Sequence, residues 1–139
     1  MNSSTPVSAE LGLRLVVPDR ATVPLLAGLR YSADDPYAIR MTFHVGEDEP
    51  VEWIYARELL TTGMMHRAGD GDVRVWPAKA AGEPTLHIAL SSPFGRALFE
   101  APLSPLADFL QRTYEIVPAG HESDFIDIEA EIDNLLWPS

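Results

Sequence analysis

Two-residue alternation of apolar side chains runs through the first half of the chain, and it constrains the fold more than any other feature. In "LGLRLVV", Leu11, Leu13, Leu15 and Val17 share one face, with Gly12 and Arg14 on the other. "VPLLAGLRY" repeats the pattern with Val23, Leu25, Ala27, Leu29 and Tyr31; Pro24, which has no amide donor, puts that end at a sheet edge. "DPYAIRMTFHV" sets Tyr37, Ile39, Met41, Phe43 and Val45 against Ala38, Arg40, Thr42 and His44, and "VEWIY" aligns Val51, Trp53 and Tyr55. A half-buried strand produces this period; a helix does not. The turns "PDRAT", "SADDP" and "GEDEP" are short and polar, as antiparallel neighbours require.

The period then changes. "ARELLTTGMM" places good helix formers around Leu59 and Leu60, with Gly63 as a stop. Asp70-Gly71 marks a tight turn, and "VRVW", "PTLHIALSS" and "GRALFEA" read as further strands. In "APLSPLADFLQRTYEIV", Ser104 is a natural N-cap and Pro105 a first helical residue. Leu106, Phe109, Leu110, Thr113 and Val117 recur at helical spacing, and Pro118-Ala119-Gly120 closes the segment. The final run, "SDFIDIEAEIDNLLW", carries both a strand-like alternation and a helical stripe; its length and Ala/Glu-rich centre favour a helix. The expected fold is α+β: a mostly antiparallel sheet in two halves, each followed by helix, with a further C-terminal helix. One domain is expected over residues 1–139, with residues 1–7 flexible.

Composition narrows the function classes. A net charge of −11 with a single lysine, Lys79, opposes binding to phosphate backbones or anionic membranes unless the arginines converge on one face. Arg14, Arg30, Arg40, Arg74 and Arg96 do fall on strands, yet arginines paired with neighbouring acids on the wet side of a sheet explain them more simply. With no cysteine there is no disulfide, thiolate metal site or cysteine nucleophile. The first ten residues lack the basic and apolar regions of a secretory signal, and no apolar run is long enough to span a bilayer, so a cytoplasmic protein is expected.

No glycine-rich phosphate loop or GxSxG elbow is present, and His44, His66, His87 and His121 are too scattered for a metal-ligand pair. "GDGDV" fails as a calcium loop because Ala81 occupies its twelfth position. Asp34-Asp35 and Glu47-Asp48-Glu49 sit in turns, where solvated acids are the usual case. No catalytic, cofactor or metal site is therefore expected.

The ordered run of "LRLVV", "AGLRY", "DPYAIRMTFH", "VEWIYARELL", "GDVRVWP", "IALSSPFGRALFEAP" and "FLQRTYEIVPAGHE" resembles the SsgA-like proteins of sporulating actinomycetes. The resemblance covers residues 11 to 122 and weakens at both ends. It implies a fold similar to the whirly domain. It also implies a non-enzymatic activator of sporulation-specific division at the septum, recruiting the tubulin-like GTPase FtsZ and working with an SsgA-like partner. The lysine-rich stretch by which whirly proteins bind nucleic acid has no counterpart here, so that function is not expected; a single-stranded nucleic-acid-binding module is the alternative. Unpaired sheet edges point to a homo-oligomer, with a trimer as the working number. Phe125, Ile128, Ile132, Leu135 and Leu136 form the candidate self-association stripe, beside six acids between Glu122 and Asp133.

Overall fold

The computed structural model describes residues 6–17, 21–44, 49–93 and 95–126. Four strands come first: β1 (Val7–Val16), β2 (Thr22–Tyr31), β3 (Ala38–His44) and β4 (Val51–Ala56). Helix α1 (Arg57–Gly63) follows, then β5 (Val73–Ala80), β6 (Glu83–Ser92), β7 (Gly95–Pro102) and helix α2 (Leu103–Ile116). All seven strands join one antiparallel sheet in the order β4-β3-β2-β1-β7-β6-β5. Each half is thus a meander ending in a helix, as the change of period implied.

The alternation identifies the buried face. Leu11, Leu13, Ala27, Leu29, Tyr31, Ile39, Met41, Phe43 and Tyr55 are all buried, as are Leu86, Ile88 and Leu90 of β6. Leu106, Phe109, Leu110, Thr113 and Val117, the expected helical stripe, close over this face. Each large apolar side chain so buried contributes about 1.5–3 kcal/mol. The sheet curls strongly around this core. Phe43 on β3 and Phe99 on β7 stack with ring centroids 4.5 Å apart, although three strand spacings, about 14 Å in a flat sheet, separate their backbones.

Several boundaries differ from expectation for local reasons. β1 begins at Val7, which is buried. β2 is interior, but its register with β3 stops at Leu26, so Pro24 owes no amide to that neighbour. Tyr37 precedes β3 in the turn and is 50% exposed, outside the apolar row; Val45 lies outside the described residues. Trp53 is only half-buried and Val51 exposed, because the row reaches the open end of the sheet.

β5 runs on through Pro77 to Ala80, which its position at the sheet edge permits. It returns into β6 through Ala81-Gly82, both at positive φ (51° and 82°), a two-residue hairpin turn that the sequence reading passed over. In the Asp70-Gly71 loop the demanding glycine is Gly69, at φ 86°, where a Cβ would meet the Val73 carbonyl. Gly63 does end α1, but what it supplies is room: a Cβ there would collide with Val75. Helix α2 starts at Leu103 after Pro102, so Ser104 is inside the helix and makes no cap. Pro105 remains in the first turn, where no amide donor is missed.

A 3-10 turn at Glu122–Phe125 occupies the start of the expected C-terminal helix. Ile128, Ile132, Leu135 and Leu136 lie outside the described residues; Phe125 is 43% exposed.

Candidate protein-interaction surfaces

The two faces of β3 behave very differently. On the outer face, the Arg40 guanidinium lies 3.4 Å from Glu52 and 3.8 Å from Asp35, and all three side chains are about half exposed. Thr42 stands between Gly28 and Glu52 in the register, and His44 beside Leu26. Arg40, Thr42 and His44 are therefore the outer face of a sheet with local ion pairs at Arg40.

The remaining histidines are equally dispersed. His66 Nδ1 lies 3.0 Å from the Arg67 carbonyl, and His121 Nδ1 lies 3.0 Å from Asp124 Oδ2. His87 Nε2 is 3.5 Å from Glu100 Oε2, and its ring meets Trp76 edge-on. Among the described residues no group of three or more His, Asp or Glu side chains could hold a metal ion. No described helix is long and apolar enough to cross a membrane.

The most organised polar centre is one the sequence reading missed. Arg57, 1% exposed, opens α1 two residues after the buried Tyr55. At the end of α2 its Nη1 donates to the carbonyl of Thr113 (3.1 Å), which also accepts the Val117 amide, and to that of Val117 (2.8 Å). The negative end of the helix dipole favours a cation there. Nη2 donates to Glu122 Oε2 at 2.8 Å. The guanidinium carbon lies 4.0 Å from the Tyr114 ring centroid and 4.8 Å from that of Tyr31. Arg57 therefore ties the first half-sheet's helix to the second's, and both to the start of the C-terminal segment.

Electrostatics follow from this placement. The hydrogen bond from Arg57 holds the Glu122 carboxyl below the usual carboxylate range. Burial pushes the Tyr31 phenol up to about 12, against the opposing pull of the Arg57 charge. Burial likewise raises Tyr55. The available signal for Arg57 was its spacing: it shares a three-residue stripe with Leu60 and Gly63, so a charge sits where an apolar residue belongs.

These features match a known group of proteins. The family model described as "Streptomyces sporulation and cell division protein, SsgA" matches residues 25–122, more than half of the chain. The sporulation-specific cell division protein SsgB of Thermobifida fusca is 63% identical over 131 residues, covering 94% of this chain and 95% of that protein. The chain belongs to the SsgA-like family.

The SsgB of Streptomyces coelicolor is 50% identical over 136 residues, 98% of this chain and 99% of that one. The crystal structure of an SsgA-like sporulation-specific cell division protein from Thermobifida fusca superimposes with a TM-score of 0.86 at 61% identity, covering 97% of this chain and 98% of the other. A structure of Streptomyces coelicolor SsgB, described with mutations that correlate to longitudinal cell division during sporulation, gives 0.87 at 50% identity, with 91% and 99% covered. The α+β architecture with its antiparallel sheet and two helices is that of the SsgA-like, whirly-like proteins. A role in sporulation-specific cell division belongs to the family as a whole.

Proposed function

We propose that this chain is a non-enzymatic activator of sporulation-specific cell division. It acts in the cytoplasm at the septum, where it recruits FtsZ to septum sites and promotes FtsZ assembly together with an SsgA-like partner. The single observation that carries this reading is similarity over nearly the whole of both chains to proteins named for sporulation-specific cell division. The solvated outer face of β3 is in keeping with it. Self-association belongs to the same reading, with Phe125, Ile128, Ile132, Leu135 and Leu136 as the contributing stripe. The test is sedimentation of purified FtsZ with GTP, with and without this protein, beside a fluorescent fusion in sporulating cells. More FtsZ in the pellet and septal fluorescence before constriction are expected. Unchanged pelleting combined with diffuse fluorescence overturns the reading.

A further inference from the structure

The sheet face turned away from the helices carries a second grouping that the division role does not use. Register sets Arg74, Ala89, Leu98 and Val16 side by side on β5, β6, β7 and β1, with Trp76 and His87 in the adjoining row. A shallow concavity of about 420 Å³ lies here, with Val16, Trp76, Ala89 and Leu98 as its floor and Arg74 and Arg96 as its walls. Arg67 lies over the Trp76 ring, 5.0 Å from its centroid. Among the described residues Arg67, Arg74 and Arg96 make no ion pair, in contrast to Arg40 and Arg57. The nearby carboxylate of Glu100 lies 3.5 Å from His87 Nε2, in the row next to the hollow. A cationic, apolar-floored hollow thus stands on a chain of net charge −11.

The chain's own sequence contains the complement. Asp127, Glu129, Glu131 and Asp133 alternate with apolar residues, and no lysine or arginine follows Arg112. Apolar side chains fit the floor and carboxylates fit guanidinium walls. Within one chain, Glu122 is held by Arg57 against the end of α2, on the helix side of the sheet, and the hollow is on the other side. A segment from a neighbouring molecule reaches it without wrapping a sheet edge.

We propose that residues 127–139 of a second copy dock in this hollow, their carboxylates on Arg74 and Arg96 and a branched apolar side chain over Ala89 and Leu98. The proposal rests on the self-association reading above and adds to it the receiving face.

Light scattering on the full chain and two charge-reversal variants tests it. Arg74→Glu/Arg96→Glu destroys the receptor; Glu129→Arg/Glu131→Arg destroys the ligand. Each alone is expected to fall to single-chain mass with an unchanged far-ultraviolet spectrum, and mixing the two restores assembly, because each then offers what the other lacks. If the receptor variant misfolds, Arg74→Gln/Arg96→Gln takes its place. A wild type of single-chain mass refutes self-association itself. An assembled wild type whose variants keep their mass refutes only the docking face. Loss in each variant without recovery on mixing refutes exchange between copies, and tight binding of an oligothymidylate to Arg74 and Arg96 would assign the hollow to nucleic acid instead.

Discussion

Arg57 and Arg40 both come from the first half of the fold, one from α1 and one from β3, and both face a glutamate, yet they are opposite kinds of residue. Arg40 is 45% exposed, and its two acids sit at 3.4 and 3.8 Å in water, where Coulomb attraction is weak and side-chain ordering offsets much of it. Arg57 is 1% exposed and holds Glu122 at 2.8 Å with two backbone carbonyls and two aromatic faces around it. Desolvating that guanidinium is costly, and only the full set of partners makes the site tolerable. Its Nε has no acceptor among the described residues, so little surplus is left. Burial, more than the presence of a nearby acid, decides what an arginine contributes.

The sharpest way to break this comparison is to truncate the buried member. Arg57→Ala abandons Glu122, the Val117 carbonyl at the end of α2 and the contact area of two tyrosines at once, while the Thr113 carbonyl keeps the Val117 amide. The expected loss is about 3–5 kcal/mol, read from urea denaturation monitored by circular dichroism. A loss under about 1 kcal/mol would mean that the centre is a passive filler.

Glu122→Gln is gentler, because the amide oxygen can still accept while the counter-charge is gone; about 1–3 kcal/mol is expected. The same pair sets a pH dependence. The carboxyl's folded value lies below its ordinary 4.5, so its stabilisation is fully present above that value and is lost as the pH falls through the lowered one. Wild-type stability should therefore converge on that of Glu122→Gln on acidification below 4.5, and a constant gap between them across that window would refute the linkage.

Much of this architecture was legible in the sequence because burial of a sheet face imposes period two directly on the chain. Ile39, Met41 and Phe43 show it, as do Leu106, Phe109 and Leu110 at the helical period. The errors lie where the pattern meets something it does not encode. Pro77 looked like the end of a strand because only the assembled sheet shows that β5 is an edge. Gly63 looked like a helix stop, whereas its reason is Val75 from a different element. Arg57 was invisible for the same cause: its partners are 56, 60 and 65 residues away in the chain. The absence of a catalytic set was an expectation from missing motifs, and the arginine-walled hollow emerged only from the register of four strands.

Tyr114 separates the ring contact from the charge pair. Its hydroxyl shares a 2.6 Å hydrogen bond with Thr61 Oγ1, while its ring packs on the guanidinium. Tyr114→Phe deletes the first and keeps the second, for an expected cost of about 0.5–1.5 kcal/mol. Tyr114→Leu also removes the aromatic face and should add about 0.5–2 kcal/mol, since the contact is desolvated. Equal costs for the two variants would show that the ring does nothing for Arg57 beyond filling space.

The smallest effect belongs to the exposed member of the pair. Arg40→Ala removes both surface contacts, but Asp35 and Glu52 are themselves about half exposed and are left with water as a partner. Nothing buried is uncovered, since Arg40 stands on the outer face between Arg30 and Ile54 in the register. The change also leaves a strand site with alanine, a weaker strand former, worth a few tenths of a kcal/mol. A total within about 0.5 kcal/mol of wild type is expected, and raising the salt concentration should shrink even that, because ions screen exposed pairs. If Arg40→Ala instead costs as much as Glu122→Gln, and the cost persists in high salt, then exposure fails to distinguish the two arginines and the contrast drawn between them collapses.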